Sequence, residues 1–342
     1  MKPLRAGLSG CGAIGLAAIE QVRRHEHCDI VAVHDPDPNV LETLRARTGI
    51  GFATTDFAAL LASGIDFVVL AGPPGTRLPQ VQQAAEQNVH CLVHAPFAND
   101  LTTAAAMVDA CEAADVKLGV AVPGQADPVL EQVRRMIASD WLGGIVAVQT
   151  MLGSDDLLVN PPVASDPRLH ADAARDPFAA FASQCVHMAT WLTGRPALRV
   201  TAQTVNGFLP LPHDGGAVTA VLGGNVLCTF LASHLTRVRT MAVHGTDGGV
   251  RLAGDRIWLC GKTEFHGDLF DYTKPGHEQG FARAELEEAT AAQMPDCELH
   301  GRFARWIDDC DGFPCPGEQA LADQRVVDAM LRAAASGRVE TV

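Results

Sequence analysis

Near the start of the chain, Gly10-Cys11-Gly12-Ala13-Ile14-Gly15 stands between a short apolar run, Leu4 to Leu8, and a helix-forming run that begins at Leu16. A strand, a G-x-G-x-x-G turn and a helix in this order are the pattern of a dinucleotide-binding unit. Gly10 allows the turn, Gly12 lets a pyrophosphate approach the backbone, and Gly15 lets the helix sit close to the strand. Ala13 and Ile14, within the turn, are further candidates for cofactor contact, and the helix that follows offers its first N–H groups to the phosphates. The second strand, Asp29 to Val33, ends at His34-Asp35, and Asp35 follows Gly15 by 20 residues. An acidic group there accepts hydrogen bonds from the adenosine ribose hydroxyls. It also repels a 2′-phosphate, and no Arg or Lys lies between His34 and Asn39. The expected cofactor is therefore NAD, with NADP disfavoured.

Strand and helix signals alternate through the first 122 residues. Apolar runs at Ile65–Ala71, His90–His94 and Lys117–Val122 are separated by helical stretches at Leu78–Gln87 and Leu101–Ala114. This alternation predicts an α/β domain with a parallel sheet covered on both faces. Ligands in such sheets bind beyond the carboxyl ends of the strands. Besides the glycine loop, that edge carries Pro73 and Pro74 after one strand and His94 and Ala95 after another, all candidates for cofactor contact. From Ile145 onward the character changes. Val218–Leu222 and Val226–Phe230 flank Gly223-Gly224-Asn225, and Met241–His244 and Val250–Leu252 flank a turn at Thr246–Gly249. These are hairpin signals and predict a second, α+β domain. The expected division is residues 1–123 and 124–342, with the C-terminal helix at 318–335 able to pack back on the first domain.

The 342 residues are enough for two domains. A formal net charge of −14 argues against a nucleic-acid surface. There is no apolar run of membrane-spanning length. The first strand begins at once, so a cytoplasmic protein without a secretory leader is expected. Ten Cys occur without a C-x-x-C pair, and no metal site is expected. Val218–Leu222 and Val226–Phe230 are apolar at nearly every position, which predicts a sheet covered on both faces and hence a homo-oligomer.

Between Phe178 and Leu192, Phe178, Phe181, Cys185, Met188 and Leu192 recur at helical spacing and form one apolar stripe. Ser183, His187 and Thr190 share the other face. Such a trio either borders a ligand cleft or is an ordinary polar helix face.

The order of these segments resembles the glucose–fructose oxidoreductase/inositol dehydrogenase (GFO/IDH/MocA) family. Gly10, Gly12, Gly15 and Asp35 match its nucleotide motif. Asp56 to Pro74, Ala84 to Pro96, Val243 to Gly248 and Ser336-Gly337-Arg338 match later family segments in order. The resemblance implies a Rossmann domain followed by a domain with a large, mostly antiparallel sheet, and hydride transfer between a nicotinamide and a sugar or polyol carbon. It implies a cis peptide before Pro96. It also implies a lysine in an E-K-P turn, aided by an Asp and a His four residues apart. Here the lysine position is Ala95, the preceding acid is His94, a nearby family histidine is Arg77, and the D-x-x-x-H pair is Ser183 and His187, with Thr190 at a following acidic position.

Three functions fit this pattern. One is an NAD-dependent oxidoreductase acting on a sugar, polyol or related small-molecule substrate with altered acid/base residues. His187 would be its catalytic proton-transfer group, with Arg77, Ser183 and Thr190 on the substrate side and His94 or Arg77 orienting the substrate. Another is a catalytically inactive nucleotide-binding sensor or partner subunit. The last is a net non-redox reaction through a transient ketone. Asp155, Asp156, Asn160, Arg168 and His170 are further polar candidates for the substrate side.

Overall fold

The computed structural model describes residues 3–23, 26–155, 177–209, 213–283 and 299–342. Asp156, Asn160, Arg168 and His170 lie outside the described residues. The chain divides into two units, Met1–Pro123 with Asp296–Gln324 and Gly124–Pro295 with Arg325–Val342.

In the first unit, strands β1 (Leu4–Ser9), β2 (Cys28–His34), β3 (Phe52–Thr54), β4 (Phe67–Leu70), β5 (His90–His94) and β6 (Leu118–Ala121) form a parallel sheet. Its order is β3-β2-β1-β4-β5-β6, so the direction of winding reverses between β1 and β4. Helices α1 (Ala13–Val22), α2 (Pro38–Thr48), α3 (Phe57–Leu61), α4 (Arg77–Glu86) and α5 (Leu101–Ala113) are the crossovers. Asp37, Asp56 and Asp100 cap α2, α3 and α5 by accepting the N–H of Asn39, Ala58 and Thr103. These caps satisfy donors that a helix start otherwise leaves unpaired. Every residue of β4 and β6 is buried. That explains why these strands read as unbroken apolar runs rather than alternating ones.

The second unit opens with α6 (Pro128–Ala138), capped by Asp127. Strand β7 (Ile145–Gly153) and helix α7 (Pro177–Thr193) follow. Next come β8 (Ala197–Val205), β9 (Gly215–Leu222), β10 (Val226–Ser233), β11 (Val238–Gly245), β12 (Gly248–Ala253) and β13 (Arg256–Gly261). Two short strands, β14 (Phe265–His266) and β15 (Asp271–Tyr272), pair with each other, and β16 (Gln279–Ala282) joins the large sheet. Helix α7 packs on β7, β9 and β10. Phe178, Cys185, Met188 and Leu192 of its apolar stripe are buried in the unit's core, and Phe181 is partly buried against it.

The chain then returns to the first unit with α8 (Leu299–Ile307). Phe303 of this helix meets Phe67 of β4 and Phe313, edge to face in both cases. Trp306 stacks on Phe313. Gly119 of β6 makes room for this aromatic cluster, because a Cβ there would lie 2.8 Å from Phe313 and 2.9 Å from Phe303. The division between the units falls within helix α9 (Gly317–Ser336), between Gln324 and Arg325. Strand β17 (Glu340–Thr341) completes the large sheet, whose order is β16-β13-β12-β11-β7-β10-β9-β8-β17. Only β7 and β10 run parallel; the other neighbours are antiparallel.

Strands β9 and β10 alternate in burial although their sequences do not alternate in hydropathy. Val226, Cys228, Phe230 and Ala232 face the core, while Leu227 and Leu231 are exposed. The open face of these strands therefore carries exposed apolar side chains.

Candidate active site

The carboxyl edge of the first unit's sheet gathers the residues expected to hold a dinucleotide. Gly10 has φ +94°, a left-handed conformation that favours glycine. A Cβ on it would lie 2.4 Å from the Gly72 nitrogen, so the loop after β4 runs directly against the glycine turn. A Cβ on Gly15 would lie 2.0 Å from the Gly10 carbonyl oxygen, which is the close helix–loop packing expected at that glycine. At Gly12 the situation is opposite. A Cβ there would meet no atom within 4 Å, and Gly12, Ala13 and Ile14 are all exposed. Gly12 is the N-cap of α1 and supplies no side-chain cap. The result is an open cradle of backbone at a helix N-terminus, chemically suited to a pyrophosphate.

Asp35 closes the other side of this cradle. Its Oδ2 accepts the Cys11 N–H at 2.8 Å and its Oδ1 accepts the Asp37 N–H at 3.0 Å. Each carboxylate oxygen keeps a lone pair for a ribose hydroxyl. The Gly10 N–H donates to the His34 carbonyl at 2.9 Å, so strand β2 and the glycine loop are joined by backbone as well. Burial, and then the negative charge of Asp35, push the Cys11 thiol up to about 12. This cysteine stays protonated and serves as a packing residue. The dinucleotide therefore fits the residues present. Gly10, Gly12, Ala13 and Ile14 would hold the phosphates and Asp35 the ribose.

Beside Asp35, the buried side chains of Ser9 and His34 are joined, Ser9 Oγ to His34 Nδ1, at 2.9 Å. Gln80 Nε2 donates to Ser9 Oγ at 2.9 Å. The serine hydroxyl that accepts from Gln80 still has its own proton, which a neutral His34 ring can accept at Nδ1. Burial also lowers the His34 pKa, against the opposing pull of Asp35.

Pro73 is exposed and Pro74 is buried at the end of the loop after β4. Arg77 follows, and its side chain is 2% exposed. Its guanidinium donates to the Gly72 carbonyl through Nε (3.2 Å) and Nη2 (2.9 Å). Through Nη1 it reaches the carbonyls of Pro96 and Phe97, the latter at 3.2 Å. Arg77 thus ties the double-proline loop to the turn after β5. That turn contains the Ala95–Pro96 peptide, which is cis, as the resemblance implies. His94 and Ala95 are half-buried beside it.

The sequence reading missed one participant. His300, on α8, is 1% exposed, and its Nε2 lies 3.3 Å from Nε2 of His94. No local pattern flags it: the two residues are 206 positions apart.

In the second unit, Ser183, His187 and Thr190 lie on α7. His187 and Thr190 are buried and Ser183 is half-buried. The Thr190 hydroxyl lies 3.2 Å from the carbonyl of Val186 and 3.1 Å from that of His187, so it turns back onto its own helix. Asp155 pairs with Arg237 at 2.8 Å. Among the described residues no helix is long and apolar enough to cross a membrane.

Comparisons with known proteins agree with this geometry. A family model described as the oxidoreductase family with an NAD-binding Rossmann fold matches residues 4–122. A model of the GFO/IDH/MocA C-terminal domain matches residues 130–251. D-apiose dehydrogenase of Rhizobium rhizogenes is 31% identical over 144 residues, 42% of this chain and 42% of that protein. Inositol 2-dehydrogenase 4 of Saccharopolyspora erythraea is 32% identical over 147 residues, 42% of this chain and 43% of that protein. The matched segment thus spans less than half the length of these relatives. The crystal structure of the WlbA dehydrogenase from Bordetella pertussis, in complex with NADH and UDP-GlcNAcA, shares the fold over 99% of both chains, with a TM-score of 0.80 at 22% identity.

Proposed function

Because the chain belongs to the GFO/IDH/MocA oxidoreductase family, we propose that it is an NAD-dependent dehydrogenase of a sugar, polyol or related hydroxy compound, working with altered acid/base residues. The observation that carries this reading is the intact nucleotide edge. An open Gly12 cradle is joined to the Asp35 carboxylate through the Cys11 N–H, and no Arg or Lys lies between His34 and Asn39 to meet a 2′-phosphate. Relatives named as D-apiose and inositol dehydrogenases support a polyhydroxylated substrate.

When bound, NAD supplies the hydride acceptor. The chain's own residues must hold the nucleotide, fix the substrate and take the hydroxyl proton. Alanine at position 95 cannot move a proton, so the role must fall elsewhere. His187 is the member of the resemblance's catalytic set whose ring can accept or donate a proton. Arg77 is better read as a structural tie than as a substrate ligand, since its guanidinium bonds to backbone carbonyls of two loops. Ser183 and Thr190 remain substrate-side candidates.

The substitutions at Ala95 and Ser183 favour a second reading, a nucleotide-binding sensor or partner subunit without catalysis. Titration with NAD+ and NADP+, followed by absorbance at the NADH band across a panel of aldoses, polyols and their acids, separates the two. NADH formation with one compound supports the dehydrogenase; tight NAD+ binding without turnover supports the sensor. Failure to bind either nucleotide removes both. We also assign the protein a cytoplasmic location and a homodimer built on the open face of the large sheet, where Val205, Leu227 and Leu231 are exposed. A monomeric mass by sedimentation at micromolar concentration would exclude the dimer.

A further inference from the structure

Beneath the glycine turn, polar side chains from three elements form a chain. Ser9 ends β1 and precedes Gly10, His34 ends β2 and precedes Asp35, and Gln80 comes from α4. Ser9 is 2% exposed and His34 7%. Ser9 Oγ lies 2.9 Å from His34 Nδ1, and Gln80 Nε2 donates to Ser9 Oγ at 2.9 Å. Gln80 Oε1 is buried without a hydrogen-bond partner, so among the described residues this amide is held through Nε2. The backbones of the same strand ends frame the nucleotide edge. The His34 carbonyl accepts the Gly10 N–H at 2.9 Å, and the Ser9 carbonyl accepts the Ala71 N–H at 2.8 Å. Apolar side chains would join these elements without the cost of burying polar groups.

A hydroxyl both donates and accepts. Ser9 can give its proton to a neutral His34 or accept one from a charged His34. In the second case a half-turn of the Gln80 amide would bring Oε1 to the Ser9 proton. His34 can therefore take up a proton without losing its partner. Burial holds the ring toward its neutral form, and the carboxylates of Asp35 and of Asp56, the cap of α3, oppose it, as does a hydrogen bond to the Thr55 backbone. The glycine turn adds the Cys11 thiol, which stays protonated. The other neighbours are neutral: Ser9 from β1, Gln80 from α4, and the Phe57 ring of α3, edge-on with its centroid 5.4 Å away.

We propose that His34 is a specificity-determining positioning residue for the nucleotide: by taking up a proton in place it offsets the charge of Asp35, so that dinucleotide binding strengthens as the pH falls, most of all for a dinucleotide with a 2′-phosphate. The inference rests on the nucleotide edge read above. A pyrophosphate would bring negative charge to the turn that follows Ser9, and a 2′-phosphate would bring more toward Asp35. Either favours the charged ring. The nucleotide then raises the affinity of His34 for a proton, and the proton raises the affinity for the nucleotide by the same factor. The gain starts as the pH falls through the His34 pKa of the complex. It is complete below the pKa of the free protein, which burial sets under the ordinary histidine value of 6.5.

Titration calorimetry of the full chain with NAD+ and with NADP+, at pH 8 and pH 5, tests this with each protein compared with itself. In the wild type the NAD+ dissociation constant should fall about 5- to 10-fold on acidification, the low end of coupling between two sites. That for NADP+ should fall further. In His34→Asn, whose amide can still pair with Ser9 but does not titrate, the NAD+ gain should largely vanish. The NADP+ gain should shrink to the part due to titration of the 2′-phosphate itself. Ser9→Ala, in which a protonated Nδ1 would face a methyl group, should lose the NAD+ gain as well. Followed by 15N NMR in the wild type, the His34 ring should titrate at higher pH with NAD+ than without it. Binding of NAD+ that does not tighten in acid, equal pH ratios in the wild type and both variants, or a His34 titration unmoved by NAD+ overturns the proposal and leaves the nucleotide reading standing. Failure to bind either nucleotide at both pH values removes that reading and the proposal with it.

Discussion

The Asp35 carboxylate accepts the backbone N–H of Cys11 at 2.8 Å, joining the end of β2 to the middle of the glycine turn. One side chain thereby shapes the phosphate cradle and is also the proposed ribose ligand. Selectivity for the nucleotide and the geometry of its loop are coupled through it. A change made to admit a 2′-phosphate will disturb the pyrophosphate site as well.

Asp35→Ala should weaken NAD+ binding by about 2–4 kcal/mol, the worth of a charge-assisted hydrogen-bond pair. Isothermal titration measures it. Asp35→Asn should fall between wild type and alanine for NAD+ and lose less for NADP+, because the repelling charge is gone while an acceptor for Cys11 remains. Equal or better affinity of the wild type for NADP+ would contradict the assignment.

Gly12→Ala and Gly15→Ala should separate binding from stability. At Gly12 the backbone is extended, with φ −71°, and a Cβ meets nothing within 4 Å. The melting temperature should hardly move, while NAD+ affinity drops about tenfold or more, or roughly 1.4 kcal/mol. At Gly15 the added Cβ would press on the Gly10 carbonyl, so α1 must shift. Stability should fall by about 1–3 kcal/mol, the usual cost of overpacking. Thermal melts with and without NAD+ would show both effects.

His187→Ala should reduce turnover by about 10²–10⁴-fold, the usual worth of a general acid or base. NAD+ affinity should be unchanged, since the proposed phosphate and ribose contacts all belong to the first unit. Steady-state rates and a binding titration on the same preparation check the two halves. Full activity in the variant would move the proton-transfer role to another residue.

Acidification should destabilise the first unit through His34 and His90. Burial holds both below the ordinary histidine value of 6.5; at His90 the charge of Lys117 adds to the effect. His90 Nδ1 also accepts the Lys117 N–H at 2.9 Å, which a protonated ring could not do. Above pH 6.5 both histidines are neutral in the folded and unfolded chains, so their contribution is complete. As pH falls below 6.5 the unfolded chain takes up protons first, and stability is lost until the folded chain is protonated too. The urea midpoint should decline between pH 7 and 5, and less steeply in a His90→Gln variant. An unchanged slope in that variant would exclude His90 as a source.

Much of this molecule is legible in one dimension. The glycine turn, the acidic end of β2 and the alternation of apolar and helical stretches are local signals. They are set by steric limits on the backbone and by the period of each element, and each lies within a few tens of residues. The apolar stripe of α7 was readable for the same reason, and the cis peptide before Pro96 was implied by the family resemblance. Other features depend on residues far apart in the chain. His300 meets His94 across 206 positions, and Gly119 is small because Phe303 and Phe313 come back over it. Arg77 looks like a free cation in the sequence and becomes a buried tie only when the loops after β4 and β5 are brought together. The open face of the large sheet shows the same limit from the other direction. Leu227 and Leu231 read as apolar positions that call for cover, and the fold leaves them exposed on the open face, because hydropathy records how a side chain interacts with water and not which layer covers it. Local chemistry determined the elements and the nucleotide motif; tertiary packing decided which polar groups meet, and hence what His94 and Arg77 can do.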